Sequence, residues 1–223
     1  MTAPIRVLLV DDHDLVRDGL AALLAADPAI EIVGEAADGP TAVQVARDLK
    51  PDIVLMDVEM PGGDGLTATR RILASCPTTR VVILTMFDLD ENVSQALRIG
   101  ASGFLLKTTP SAKLVDAVKA CAAGETLLAP SVVDRLITTY VEHPPPAPQN
   151  ELSNGPLQVL TPRELDVLRA IARGLSNAEI STELYLAEAT VKTHITRILA
   201  KLGLRDRVQA VVLAYETGLV PPR

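Results

Sequence analysis

Apolar residues in the first half of the chain form short runs, and four of these runs end at polar side chains. The runs and the residues that follow them are Ile5–Val10 before Asp11 and Asp12, Ile53–Met56 before Asp57, Val81–Leu84 before Thr85, and Gly103–Leu106 before Lys107. Stretches with helical periodicity separate the runs, near Leu15–Ala25, Thr41–Leu49, Leu66–Ala74, Glu91–Ile99 and Ser111–Ala122. This alternation predicts an α/β fold with a doubly wound parallel sheet of five strands.

The polar residues that follow these runs are expected to share one site, because the carboxyl ends of parallel strands face a common crevice. Carboxylates gathered in this way repel one another unless a cation lies between them. Oxygen ligands without thiolate or clustered imidazole favour Mg²⁺, which would also neutralise phosphoryl oxygens. Asp57 could then act as a nucleophile and form an acyl phosphate, while Lys107 and Thr85 would bind the phosphoryl group.

Each of these residues also has a simpler interpretation. Asp11 and Asp12 can cap the helix that follows them, and Lys107 can be a solvated strand end. An enzyme alternative is a haloacid-dehalogenase-like phosphatase that would use Asp12 and Asp14. Such a phosphatase needs a further acidic cluster after a later strand, and residues 104–109 contain no acid. The joint occurrence of the polar residues at strand ends therefore favours the phosphoacceptor interpretation.

The chain changes character after residue 124. Residues 125–156 are predicted to form a linker, with a helix over Pro130–Tyr140 and then an extended tether that contains three consecutive prolines. Residues 157–223 contain four helical patterns, and two of them open with a capping box. These helices are expected to begin at Thr161 and Ser176 and to run over Glu188–Leu202 and Asp206–Glu216. The predicted domains are therefore 4–124 and 157–223.

The formal net charge of −7 is unevenly distributed. Basic against acidic residues number 11 to 18 over residues 1–125, 1 to 3 over 126–159, and 9 to 7 over 160–223. Only the C-terminal part therefore suits a nucleic-acid surface. No apolar run approaches the roughly 20 residues of a membrane-spanning helix, and no secretory signal is evident. Cys76 and Cys121 show no metal or redox spacing, so we expect a cytoplasmic protein without membrane contact.

Residues 5–123 resemble the receiver domain of two-component response regulators, which has a flavodoxin-like fold. The matching stretches are Leu8–His13, Val54–Pro61, Leu84–Thr85 and Gly103–Lys107. The resemblance implies that Asp57 accepts a phosphoryl group from a sensor histidine kinase. It also implies that Asp11, Asp12 and Asp57 bind Mg²⁺ together with the backbone carbonyl of Glu59.

The same resemblance assigns a conformational switch. It implies that Thr85 and Lys107 move onto the phosphoryl group and that the aromatic side chain of Phe104 turns inward. This chain departs from many receivers at two positions. Thr108 stands where many receivers have a proline after a cis peptide bond, and Met86 stands where many have a small residue. The second departure bears on the lifetime of the phosphoryl group.

The helical pattern over Glu188–Leu202 has an apolar face and a basic outer face. The apolar stripe consists of Val191, Ile195, Ile198, Leu199 and Leu202. The residues off this stripe include Lys192, Thr193, Thr196 and Arg197. An exposed face of this composition suits the major groove of DNA, although an ordinary solvated helix face is the simpler alternative.

Residues 160–220 resemble the LuxR-type helix-turn-helix. The matching stretches are Leu160–Glu164, Gly174–Asn177, Glu179–Ile180, Thr190–His194 and Lys201–Leu202. In that family the positions that face bases are those of Lys192, Thr193 and Thr196. The positions nearer to phosphates are those of Ser176, Asn177 and Arg197. The dimer contact on DNA is usually made by the fourth helix, here at Val208, Val211 and Val212.

The two resemblances together are those of the NarL/FixJ subfamily of response regulators. We therefore expect a bacterial transcription regulator, not an enzyme, that binds promoter DNA as a homodimer after a sensor histidine kinase has phosphorylated Asp57. RNA polymerase is left open as a further partner. A sigma-factor-like helix-turn-helix and a regulator that ignores phosphorylation are the alternatives, and the receiver with its intact acidic residues disfavours both. Ala187 stands where the family commonly has a capping Ser or Thr.

Overall fold

The computed structural model describes residues 3–61, 64–86, 90–124 and 155–220. The chain divides into two compact units, residues 1–127 and 128–223. The predicted helix over Pro130–Tyr140 and the proline-rich tether lie outside the described residues.

A parallel sheet of five strands forms the centre of the N-terminal unit, with the strand order β2-β1-β3-β4-β5. The strands are β1 (Ile5–Val10), β2 (Ile30–Ala36), β3 (Ile53–Asp57), β4 (Arg80–Thr85) and β5 (Gly103–Leu106). Every residue of β3 is buried, which is why this strand is a continuous apolar run in the sequence. The strand order reverses between β1 and β3, and open sheets of this kind bind ligands at such a point. The predicted fold is confirmed.

Five helices connect the strands: α1 (Asp14–Ala25), α2 (Gly39–Leu49), α3 (Asp64–Ser75), α4 (Asp90–Ile99) and α5 (Ser111–Ala122). Each begins within two residues of its predicted start, and at α2 a capping side chain marks that start. There the Asp38 side chain accepts a hydrogen bond from Thr41 N at 2.7 Å. Residues from the strands and from α1 and α5 share one buried core that includes Val7, Leu9, Leu24, Leu55, Leu84 and Val118.

The C-terminal unit is helical. It contains a 3-10 helix (Pro156–Val159) and then α6 (Pro162–Ala172), α7 (Asn177–Glu183), α8 (Glu188–Leu202) and α9 (Arg207–Glu216). Both predicted capping boxes form, at Thr161 before α6 and at Ser176 before α7. Gly174 and Gly203 follow α6 and α8 with φ angles of 81° and 65°, the left-handed conformation that glycine adopts without steric cost.

Glu164 joins α6 to α8. Its Oε2 accepts a hydrogen bond from Thr161 N at 2.7 Å and forms an ion pair with Lys201 Nζ at 2.7 Å. The hydrogen bonds from Lys201 and from Thr161 lower the pKa of Glu164 from 4.5 to about 2, although burial opposes this shift. The ionised carboxylate therefore links the start of α6 to the last turn of α8.

The substitution Glu164→Gln is expected to destabilise the C-terminal unit at neutral pH but not near pH 2. A carboxyl with a lowered pKa in the folded state stabilises that state above its ordinary pKa and loses this effect as the pH falls through the folded value. We expect a loss of about 1–2 kcal/mol at neutral pH, since solvent around the 36% exposed Lys201 screens the pair.

Tyrosine fluorescence during urea unfolding measures this effect in the full chain. All three tyrosines lie beyond residue 139 and the chain has no tryptophan, so the signal reports only the C-terminal part. A stability deficit of the same size near pH 2 and at neutral pH would contradict the assignment to the charge of Glu164.

Candidate functional site

The ends of three strands place two carboxylates and one ammonium in direct contact. Asp57 ends β3 and Asp11 follows β1, and each is 1% exposed. The Nζ of Lys107, which follows β5, lies 2.7 Å from Asp57 Oδ2 and 2.6 Å from Asp11 Oδ2. The structure therefore brings together three of the residues that the strand-end pattern identified, although they are far apart in sequence.

Lys107 is the cation that compensates this pair of carboxylates. Burial alone lowers the pKa of Lys107, but its contacts with Asp11 and Asp57 outweigh burial and hold the pKa above its ordinary value. The ammonium is therefore charged throughout the neutral range. One positive charge between two buried carboxylates leaves the group negative, and a further cation would be attracted to it.

Backbone N–H groups orient both carboxylates. Asp57 Oδ1 accepts a hydrogen bond from Glu59 N at 2.9 Å, and Asp11 Oδ1 accepts one from His13 N at 3.0 Å. The Nδ1 atom of His13 lies 2.8 Å from Asp12 Oδ1. The loops after β1 and β3 thus fix the Oδ1 atom of each carboxylate. The Oδ2 atoms face Lys107 Nζ instead of the loops.

The donor set fits a small divalent cation. Potential ligand atoms of Asp11, Asp12 and His13 lie within 4.8 Å of one another. Asp11 Oδ2 is buried and makes no hydrogen bond, since its 2.6 Å contact with Lys107 Nζ is an ion pair without hydrogen-bond geometry. Carboxylate oxygens are the ligands that Mg²⁺ prefers, and receiver domains generally bind Mg²⁺ at their acidic pocket.

The predicted switch residues Thr85 and Phe104 lie on the adjacent strands β4 and β5. Thr85 ends β4 and is 2% exposed, and its carbonyl oxygen accepts a hydrogen bond from Lys107 N at 2.8 Å. Phe104 is 2% exposed, so its ring is already directed inward, whereas Met86 is 51% exposed. Every peptide bond in the described part of the chain is trans, including the one between Lys107 and Thr108.

Arg17 supports the acidic loop and was not identified from the sequence. Its guanidinium donates to Asp11 O at 2.7 Å, to Asp14 Oδ1 at 2.7 Å and to Glu35 Oε2 at 3.0 Å. The hydrogen bond to Asp14 is the main cause of the raised pKa of Arg17. The three-residue spacing of Asp14 and Arg17 was visible in the sequence, but the contact with Glu35 depends on the neighbouring strand.

The side chain of Asp14 is 85% exposed, so it does not form the Asp-x-Asp core of the phosphatase alternative.

The outer face of α8 has the predicted composition. Val191, Ile195 and Ile198 are buried, and Leu199 and Leu202 are half-buried. The exposed residues include Lys192, Thr193, Thr196 and Arg197. The Oγ1 atoms of Thr193 and Thr196 donate to carbonyl oxygens one turn earlier, at 2.9 and 3.0 Å. Their hydroxyl protons are therefore used within the helix, and these threonines can offer methyl groups and acceptor lone pairs to a partner.

The other residues predicted to contact DNA or a second copy have partners within the chain. Ser176 Oγ accepts a hydrogen bond from Glu179 N at 3.3 Å, and Asn177 Oδ1 accepts one from Arg207. The three valines predicted as a dimer contact, Val208, Val211 and Val212, are 0%, 2% and 5% exposed. They are buried because α9 packs closely against α6, so the direct contact predicted for their side chains is not available at the surface.

Ala187 occupies the N-cap position of α8 and makes no side-chain hydrogen bond. We expect Ala187→Ser to stabilise the C-terminal unit by about 0.5–2 kcal/mol, because a serine hydroxyl would accept a hydrogen bond from an unpaired N–H of the first turn. Tyrosine fluorescence during urea unfolding and hydrogen exchange at residues 189–191 measure the effect. Unchanged stability and unchanged exchange would mean that another group already satisfies this helix end.

In the described part of the chain, no helix combines the length and the apolar character needed to cross a membrane.

Two family models match the sequence. The model of the response regulator receiver domain matches residues 7–119, and the model of bacterial regulatory proteins of the luxR family matches residues 158–214.

Individual relatives cover nearly the whole chain. The transcriptional regulatory protein LiaR of Bacillus subtilis is 44% identical over 97% of this chain and 99% of its own length. The response regulator protein VraR of Staphylococcus aureus is 39% identical over the same shares. The crystal structure of the response regulator ChrA, from a heme-sensing two-component system, is 37% identical and has a TM-score of 0.52. It covers 98% of this chain and 100% of that one.

LiaR is a transcriptional regulatory protein and VraR and ChrA are response regulators, so these similarities do not favour the phosphatase alternative. The predicted combination of a receiver with a LuxR-type helix-turn-helix is confirmed by both family models. The chain belongs to the NarL/FixJ-type response regulators, in which a receiver domain is joined to a LuxR-type DNA-binding domain.

Proposed function

We propose that Asp57 is the phosphoacceptor of this regulator and that a cognate sensor histidine kinase in a bacterial cytoplasm supplies the phosphoryl group. The observation that carries the proposal is the buried Asp11–Lys107–Asp57 group at the carboxyl edge of the sheet. A lysine between two buried carboxylates adds little net stability compared with apolar residues, because the cost of desolvating the charges offsets their attraction. Its ammonium is well placed to pair with a phosphoryl group on Asp57.

The proposed chemistry is a transfer from a phosphohistidine. An oxygen of Asp57 attacks the phosphorus, an O–P bond forms as the N–P bond breaks, and the imidazole leaves. Asp11, Asp12, Asp57 and the backbone carbonyl of Glu59 would hold Mg²⁺, which supplies charge neutralisation at the phosphoryl oxygens when it is bound. The ammonium of Lys107 then pairs with the new phosphoryl group.

Thr85 and Phe104 are proposed to complete the switch. The hydroxyl of Thr85 would donate to a phosphoryl oxygen, and the phosphorylated state would keep the buried ring of Phe104 directed inward. Thr85 ends β4 and Phe104 lies on the adjacent strand β5, opposite Ile83, which places both residues near the edge of the sheet that carries Asp57. The rearrangement is proposed to favour a homodimer that binds promoter DNA.

The proposed DNA surface is the exposed face of α8 with the start of α7. We assign base contacts to Lys192, Thr193 and Thr196, and phosphate contacts to Arg197, Ser176 and Asn177. Because the three valines of α9 are buried, we assign the dimer contact to outer positions of that helix, such as the half-buried Leu213. RNA polymerase is a further proposed partner of the bound dimer.

Acetyl phosphate with Mg²⁺ tests the phosphoacceptor directly. We expect the wild-type chain to gain one phosphoryl group by intact mass and Asp57→Asn to gain none, because an amide oxygen is a poor nucleophile. Asp48→Asn is the matched control, since this carboxylate is exposed on α2, where it accepts a hydrogen bond from Gln44 away from the site. Labelling of Asp57→Asn to the wild-type level would assign the nucleophile to another residue.

A further inference from the structure

Arg207, at the start of α9, is a buried arginine that reaches the loop between α6 and α7. It is 8% exposed. Its Nη1 donates to Asn177 Oδ1 at 2.6 Å, and its Nη2 donates to the carbonyl oxygen of Leu175. The guanidinium therefore ties α9 to the residues that open the helix-turn-helix.

This contact fixes the orientation of the Asn177 carboxamide. Arginine has hydrogen-bond donors and no acceptor, so Asn177 must direct its oxygen toward Arg207 and its NH₂ group away from it. Asn177 is only half-buried, and its Nδ2 atom is not a buried orphan atom. Within the described residues Asn177 Nδ2 makes no hydrogen bond, so its two N–H groups can donate to an acceptor outside the protein.

The position of Asn177 indicates that this acceptor is a phosphate of the DNA backbone. It is the first residue of α7, and the first helix of a helix-turn-helix crosses the DNA backbone while the second enters the groove. The neighbouring Ser176 hydroxyl already accepts a hydrogen bond from Glu179 N as the helix cap. Asn177 therefore presents a fixed pair of donors at the point where a phosphate is expected.

We propose that Arg207 is a positioning residue for DNA binding, which holds the Asn177 carboxamide so that its NH₂ group donates to a backbone phosphate of duplex DNA. The inference rests on the proposed DNA-binding function and deepens it. A phosphate contact carries no sequence information, so this one contributes to affinity for any duplex. Arg207 itself touches the protein and not the DNA.

The substitution Asn177→Asp separates the two roles of the residue. Aspartate has nearly the same shape and still accepts from Arg207, now as a carboxylate, so the C-terminal unit keeps or gains thermal stability. The second oxygen faces the phosphate in place of NH₂, and we expect affinity for a labelled duplex of mixed sequence to fall by roughly tenfold at low salt. Gln158→Glu adds the same charge on the exposed 3-10 helix and is expected to change affinity less than about twofold.

The role of Arg207 is tested by a double-mutant cycle in the full chain. Arg207→Met frees the carboxamide to rotate, so adding Asn177→Ala to it is expected to weaken DNA binding less than Asn177→Ala does alone. Equal affinity of Asn177→Asp and Gln158→Glu for the duplex would overturn the proposal, and so would additive effects in the cycle. A wild-type chain that fails to bind the duplex at all would instead refute the proposed DNA-binding function.

Discussion

Replacement of Lys107 by methionine is expected to lower the free energy of unfolding of the receiver by about 3–5 kcal/mol when divalent cations are absent. The Nζ atom of Lys107 lies within 2.7 Å of an oxygen of Asp11 and of Asp57, and both carboxylates are 1% exposed. The substitution leaves two buried negative charges with no counter-charge between them. Native-state hydrogen exchange at the amides of β1 and β3 measures the loss in the full chain.

Mg²⁺ is expected to restore most of the stability lost in Lys107→Met, because a cation bound by the acidic residues replaces the missing ammonium. Lys119→Met is the matched control. Lys119 pairs with Asp27 at 2.5 Å, but its side chain is 40% exposed, so its removal should cost less than about 1 kcal/mol and should not respond to Mg²⁺. Equal losses in the two variants would contradict the assignment of Lys107 as the buried counter-ion.

Gly65→Ala is expected to destabilise the receiver by about 2–3 kcal/mol and to slow phosphorylation of Asp57. A Cβ atom on Gly65 would lie 2.2 Å from Asp57 O and 2.7 Å from the Cα of Val58. Both neighbours are backbone atoms, so either the start of α3 or the end of β3 must move. A shift of β3 displaces the carboxylate from Lys107 and from Glu59 N.

Gly19→Ala supplies a control of opposite sign. Gly19 lies within α1, and a Cβ there meets nothing within 4 Å. Alanine is the better helix former, so this variant should gain about 0.5–1 kcal/mol. Hydrogen exchange at β3 and the rate of labelling by acetyl phosphate measure both variants. A Gly65→Ala chain that matches wild type in stability and rate would show that the close approach to Asp57 has no role.

Most of the receiver site could be predicted from the sequence because the fold places strand ends together. Buried parallel strands are continuous apolar runs, and the polar residue that ends each run is therefore visible. The sequence could not reveal Arg17 as a support for Asp11, since its partner Glu35 lies on a strand that pairs only in the folded sheet. Gly65 was also missed, because its importance depends on a distance to β3.

The C-terminal unit was predictable where signals are local. The capping boxes at Thr161 and Ser176 satisfy neighbouring backbone groups, and both form. The orientation of α9 was not predictable, because apolar residues occur on nearly every side of that helix and its periodicity is weak. Val208 is part of the core although the family resemblance implied a contact surface there, and no local signal in the sequence marks Arg207 as buried.

The proposed function requires that the phosphoryl state of Asp57 control DNA binding by the C-terminal domain. The most direct measurement is the affinity of the full chain for a labelled duplex, selected from a randomised pool, before and after treatment with acetyl phosphate and Mg²⁺. We expect phosphorylation to tighten binding by at least about fivefold in the wild-type chain, and we expect Asp57→Asn to show no gain. Equal affinities of the phosphorylated and unphosphorylated wild-type chain would show that phosphorylation of Asp57 does not control DNA binding.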